Sequence, residues 1–179
     1  MAILKHISVK NRFYSSAVEY LTCQFDEYTN KPVLDEKGRI QERENYLIVG
    51  VNCDVDSFGA ECIEVNRLYG KNNSVKDVKA HHYIISFEPN DPITIEQALE
   101  FGKQWLSVFA PGHQAVVAVH PDGHNGSQNM HVHMVINSVR KYAGKQSRWH
   151  EKPCEWKLGC KHKSTGKMMF HAKKWVMEK

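Results

Sequence analysis

No stretch of the chain reaches the ~18 consecutive apolar, uncharged residues that a membrane span requires. Residues 1–12, which include Lys5 and Lys10, lack an apolar core of signal-peptide length. Both absences predict a cytoplasmic protein with no membrane partner. Cysteine is too sparse and irregular for a secreted disulfide framework: Cys23, Cys53, Cys62, Cys154 and Cys160 are an odd number without dense spacing. Free thiols in a reducing compartment are expected. No internal repeat is visible. Aspartate is missing altogether from residue 140 onward, where twelve Lys or Arg face only three Glu. The net charge of +4 is therefore concentrated at one end. What is present, 41% hydrophobic and 25% charged residues in 179, suits one globular domain with or without a short appendage. The basic end also carries Trp149, Trp156, Phe170 and Trp175. Cations for phosphates and flat rings for unstacked bases are the combination used on single-stranded nucleic acid. Taken alone, such a segment reads more simply as a solvated Lys-rich tail.

Periodicity sets the element order. Residues 3–9 alternate as a strand, and 15–21 switch to helical spacing, with Ala17, Tyr20 and Leu21 near one face. Residues 26–46 are polar and turn-rich, a loop or loose hairpin. A second helix is expected over 54–71 and a strand over 80–87, closed by Pro89 and Pro92. Thr94 with Gln97 fits a capping box that opens a helix running to Phe109, before Pro111-Gly112. Residues 114–120 and 130–138 read as adjacent strands joined by a polar, glycine-bearing loop. The expected fold is α+β, a central antiparallel sheet with helices packed on one face.

The chemistry is concentrated in residues 120–137, which hold His120, Asp122, His124, His131 and His133. Strand alternation puts His131, His133, Val135 and Asn137 on one face and Met130, Val132, Met134 and Ile136 on the other. The apolar set predicts a core beneath it, leaving the imidazoles on the open face. Pairing with the preceding strand brings His120 to the same end of the sheet. Three imidazoles then converge on one divalent ion with coordination positions left open, a site for Zn, Mn, Ni or Co that can grip a phosphate oxygen. Asp122 is placed to orient a ligand imidazole. His124, between glycines, is a reserve ligand. Alternation allows only one of His81 and His82 onto this face, and neither is assigned as a ligand. A structural zinc site from Cys154, Cys160 and His162 lacks a common finger spacing.

His120-x-Asp122, followed by His131-Val132-His133 and Met-Val-Ile-Asn, resembles the third motif of the MOBP group of conjugative relaxases, members of the HUH (His-hydrophobe-His) endonucleases. Glu19-Tyr20-Leu21 resembles their first motif, and His82-Tyr83-Ile84-Ile85-Ser86-Phe87 the stretch between. The likeness spans roughly residues 15 to 140, with a longer loop before His131.

The resemblance implies the HUH relaxase fold and a bacterial cytoplasmic enzyme that nicks and rejoins one DNA strand at a transfer origin. It makes Tyr20 the nucleophile, with Tyr14 and Tyr28 nearby as alternatives. The implied cofactor is Mn²⁺ or Mg²⁺, with Zn²⁺, Ni²⁺ or Co²⁺ as alternatives. The implied partners are single-stranded or hairpin DNA at the origin, a relaxosome accessory protein and a coupling ATPase. Residues 1–140 would be the catalytic core. Residues 141–179 would be its basic extension within the same domain, in a chain that forms the N-terminal portion of a longer protein. The expected DNA contacts are Arg140, Lys141, Lys145, Arg148, Trp149, Lys173 and Lys174. Two competing readings remain: an HUH rolling-circle initiator or transposase with the same metal and tyrosine, and a non-catalytic module that binds single-stranded nucleic acid. A tyrosine ahead of the histidines in the chain favours the relaxase over initiators. Metal-dependent strand cleavage separates both enzymes from the binding module.

Overall fold

The computed structural model describes residues 2–10, 14–26, 29, 31–121 and 129–142, and for Ser15, 149–153 and 173–177 the backbone alone. The chain divides into two compact units, Met1–Ala143 and Gly144–Lys179.

The first unit is built on five strands: β1 (Ile3–Val9), β2 (Leu47–Val51), β3 (Ala80–Ser86), β4 (His113–His120) and β5 (His131–Arg140). Their spatial order is β1-β3-β5-β4-β2, and every neighbouring pair is antiparallel. The β4–β5 hairpin is thus the centre of the sheet, while β1 and β2 form its edges. Among the described residues three helices complete the unit: α1 (Ser15–Thr22), α2 (Phe58–Leu68) and α3 (Ile95–Phe109). In the second unit β6 (Trp149–Pro153) pairs antiparallel with β7 (Lys173–Met177).

The α+β class and the antiparallel sheet are as the sequence predicts, but the helices lie on both faces of the sheet and not on one. Ala98, Gly102 and Leu106 of α3 pack over Val117, Val119, Val132, Met134 and Ile136. Leu21 of α1 and Phe58 and Cys62 of α2 pack over Val116, Ala118 and Val135 on the opposite face. The physical reason is legible in β4. Its run Ala115-Val116-Val117-Ala118-Val119 is apolar at every position, so each face of the sheet centre needs its own cover.

Helix α3 begins at the expected cap: the Thr94 side chain accepts from Gln97 N, and the Gln97 side chain returns to Thr94 N. Helix α2 is shorter than expected. Residues 54–57 form a turn in which the Glu61 carboxylate accepts from Asp54 N at 2.9 Å and from Ser57 Oγ at 2.8 Å. The edge strand β2 was not anticipated, because Leu47-Ile48-Val49-Gly50-Val51 has no alternation and follows a polar stretch. In the polar stretch expected over 26–46 as a loop or loose hairpin, and just before it, the described residues form isolated antiparallel bridges, Cys23–Glu42, Phe25–Pro32 and Leu34–Ile40.

Candidate metal and nucleophile site

The strand registers bring the histidines together. His120 lies opposite His131 across the β4–β5 ladder, and Ala118 lies opposite His133. All three imidazoles project from one face at the end of the hairpin, and one ligand nitrogen from each falls within 4.8 Å of the others. The ring centroids are 4.6 Å apart for His120–His133, 4.8 Å for His131–His133 and 5.3 Å for His120–His131. The face is not open, as alternation suggested. His120, His131 and His133 are 0%, 5% and 1% exposed, because α1 and α2 roof the face that carries them.

Hydrogen bonds fix which nitrogen each ring offers. A carbonyl can only accept, so the 2.7 Å contact from His120 Nε2 to Leu21 O makes Nε2 the protonated nitrogen and leaves the Nδ1 lone pair. The same reasoning applies to His131, whose Nδ1 donates to Asn129 O at 2.9 Å. His133 Nδ1 is 2.9 Å from His82 Nε2, while His133 Nε2 is buried and makes no hydrogen bond. Leaving such a nitrogen unsatisfied costs about 1–3 kcal/mol, which a bound cation would offset. Burial holds the His133 pKa well below its ordinary value, with smaller contributions from His120, His82, His131 and Arg43. Burial, and secondarily Lys5, pushes His82 down to about 4. Both rings are therefore neutral at physiological pH, the form in which imidazole binds metals. A buried triad of imidazoles, each with one nitrogen anchored by a hydrogen bond, fits a divalent cation.

Tyr20 reaches this cluster from the last turn of α1. Its half-buried ring is 6.0 Å from the rings of both His82 and His133, and 5.3 Å from Phe25. The adjacent residue, Leu21, is fully buried and supplies the carbonyl bound by His120. That carbonyl is one of the last four of the helix, which have no intrahelical partner. A single bond thus docks the tyrosine-bearing helix onto a cluster histidine.

Tyr14 is committed elsewhere. It is 4% exposed, donates to Lys79 O and Asn137 Oδ1 at 3.0 and 3.3 Å, and accepts from Asn66 Nδ2 at 2.6 Å. Burial pushes its hydroxyl up to about 12, with the Asn66 amide pulling the other way. The alternative Tyr28 lies outside the described residues, as do Asp122, His124, Lys145, Arg148, Cys154, Cys160 and His162. Trp149 lies on β6 and Lys173 and Lys174 on β7. Arg140 ends β5 and is exposed, while the Lys141 ammonium is held by Glu61 Oε2 at 2.7 Å and Asn52 O at 3.0 Å.

Two contributors escaped the sequence reading. His82 is the member of the His81–His82 pair on the active face, and it holds the His133 ring; alternation restricted the choice to one of the two without picking it. His81 points to the other face, where it meets His6 Nε2 at 3.0 Å. Arg43 is half-buried beside His133, brought there because Arg43 N bonds Thr22 O at the end of α1. Nothing in the local pattern of a polar loop marks that return.

An antiparallel sheet with a buried triple-histidine cluster and a tyrosine helix docked against it is the arrangement expected of an HUH-type nuclease domain. The family described as Relaxase: MobA/VirD2-like, nuclease domain, matches residues 28–161, and the chain belongs to it. A protein from Staphylococcus aureus called Protein rlx is 36% identical over 103 residues, covering 58% of this chain and 30% of that protein. The group II intron-interrupted relaxase LtrB of Lactococcus lactis subsp. cremoris is 40% identical over 99 residues, 55% of this chain and 15% of the relative. The chain thus spans less than a third of the length of these curated relatives. No solved structure matches. Among the described residues, no helix is long and apolar enough to cross a membrane.

Proposed function

We propose that this domain nicks one DNA strand at a transfer origin, in a bacterial cytoplasm, and remains joined to the new 5′ end through Tyr20. The observation that carries this reading is the convergence of His120, His131 and His133 beside Tyr20, with α1 tied to His120 through Leu21 O. In the reaction, the Tyr20 oxygen forms a bond to phosphorus as the bond from phosphorus to the 3′ oxygen breaks. The tyrosine proton leaves to solvent or a nearby base, and the departing oxygen takes up a proton to become a free 3′-OH. The phosphodiester is exchanged for a phosphotyrosine, so the same hydroxyl can reverse the step and rejoin the strand.

A divalent cation held by the triad, Mn²⁺ or Mg²⁺ in the first instance and Zn²⁺, Ni²⁺ or Co²⁺ otherwise, would supply a Lewis acid for a phosphate oxygen. The chain itself supplies position and field. His82 fixes the ring of His133, the α1 dock fixes Tyr20, and the Arg43 guanidinium offers a cation to the phosphate. Asp122 is assigned to orient a ligand imidazole. Residues 1–140 act as the catalytic core and 141–179 as its DNA-binding extension, with DNA held by Arg140 at the end of the core and by Lys141, Lys145, Arg148, Trp149, Lys173 and Lys174 of the extension. An accessory protein and a coupling ATPase complete this reading.

The test is incubation with Mn²⁺ and a labelled single-stranded oligonucleotide carrying the cognate origin, followed by a search for a denaturant-resistant protein–DNA adduct. The adduct is expected with the parent protein and absent in Tyr20→Phe and His131→Ala. An adduct that survives Tyr20→Phe, or no cleavage with any of these metals, would overturn the assignment.

A further inference from the structure

The end of the sheet remote from the histidines carries a concave surface. One concavity of about 590 Å³ lies over Asn66, Arg67, Lys71 and Asn73. A neighbouring one of about 500 Å³ lies over Tyr69, Ser138, Arg140 and Tyr142. Lys71 and Asn72 line both, so the two form one groove between the end of α2, the following loop and the end of β5. Strand β5 carries His133 six residues before Val139, which places the groove ~20 Å from the cluster at ~3.3 Å per strand residue.

The lining has one sign of charge. Arg67, Lys71 and Arg140 are exposed, and no carboxylate among the described residues pairs with them. The loop's own carboxylate, Asp77, is taken up by Ser74 N at 2.9 Å. Lys79 is spent on structure, its ammonium bonded to the carbonyls of Asn72 and Ser74, and this shapes the loop that walls the groove. Two large rings stand in solvent beside the cations: Tyr69 is 58% and Tyr142 52% exposed. Lys141 lies 5.3 Å over the Tyr142 ring while anchored to Glu61, so that ring is backed by a held cation. The amides of Asn72 and Asn73 point to Ser138 Oγ and Gly70 O, which gives this wall a fixed form.

We infer that this groove binds a single-stranded DNA segment flanking the cut, with Arg67, Lys71 and Arg140 on phosphates and Tyr69 and Tyr142 stacking on bases. Spaced unpaired cations fit a polyanion, and exposed rings distinguish an unpaired strand from a duplex, whose bases are already stacked. The identity of the ligand rests on the reading of the chain as a DNA nickase, but the test below needs no cleavage.

Affinity for two single-stranded DNAs would be measured over a range of salt in a Tyr20→Phe background: a minimal oligonucleotide covering the cut, and one extended by flanks on both sides. Parent protein should bind the extended strand more tightly, with a steeper salt dependence. Arg67→Gln with Lys71→Gln should lower the slope for the extended strand by about 1.4, about 0.7 for each single-strand phosphate no longer neutralised. Tyr69→Ala should weaken the extended strand about tenfold with little change in slope. Both effects should be confined to the extended strand. Unchanged binding in these exposed-residue variants, as an acidic protein occupant would give, overturns the inference, and so does an equal weakening with both oligonucleotides. If the effects appear while Tyr20-bearing protein forms no adduct, the groove stands and the nicking assignment falls. An adduct without the effects gives the reverse.

Discussion

His82 and Tyr14 occupy the same sheet face as the histidine cluster and hold different things in place. His82 fixes the ring of His133, a proposed metal ligand, so His82→Ala should weaken Mn²⁺ or Co²⁺ binding about 10–100-fold, while His82→Gln, which keeps an acceptor for His133 Nδ1, should recover part of the loss. Titration calorimetry reads this without any nuclease assay, and equal affinity in the alanine variant would remove the positioning role. Tyr14 holds Lys79 O, Asn137 and Asn66 together far from the cluster. Tyr14→Phe should cost about 1–3 kcal/mol in denaturant unfolding by stranding these groups, and leave adduct formation intact. Loss of the adduct with unchanged stability would reverse the roles assigned to Tyr14 and Tyr20. At this scale the sequence was informative where strand period governs: His120, His131, His133 and Asn137 share a face as alternation requires. It was silent where a contact joins residues far apart in the chain. The bond from His120 to Leu21 and the approach of Arg43 depend on tertiary packing that no local pattern encodes.

At the scale of elements, the close approach of α3 to the sheet is set at Gly102. A Cβ there would meet Val132 Cγ1 at 2.8 Å and Val117 Cγ1 at 2.9 Å, and β-branched side chains on paired strands have little room to yield. Gly102→Ala should therefore destabilise the domain by about 1–3 kcal/mol, although alanine favours a helix interior by about 1 kcal/mol. A raised unfolding midpoint would show that α3 can slide and that the contact is soft. Thr94→Ala should cost about 1 kcal/mol by removing the capping box. Helix α3 was the most legible element because its cap, apolar stripe and Pro-Gly stop agree. Strand β2 was illegible because a short apolar run beside a polar loop carries no period. The cover on the histidine face was also readable in part: the unbroken apolar run of β4 asks for two cores, and the polar His131 and His133 on its neighbour masked that demand.

Across the whole first unit, Glu61 ties distant parts together: the turn before α2, Gln114 of β4, and Lys141 just past β5. The Lys141 hydrogen bond, followed by those from Asp54 N and Ser57, pulls its carboxyl down to about 2 from an ordinary 4.5. The folded state thus prefers the ionised form. The stability contributed by this group is intact above pH ~4.5 and is lost as pH falls toward about 2. Thermal unfolding midpoints should drop through that window, and Glu61→Gln should flatten the drop; an unaltered acid limb in the variant would dissociate the network from acid sensitivity. The central place of β5 has one more consequence. Two of the three cluster histidines sit on the strand bonded on both sides, so the amides of 131–136 should exchange with deuterium only through global opening. The cluster is then already assembled before any ion arrives, unlike sites that fold around their metal. Chelator treatment should leave the exchange pattern of this strand unchanged, and an emptied domain should reload as fast as the ion can reach it.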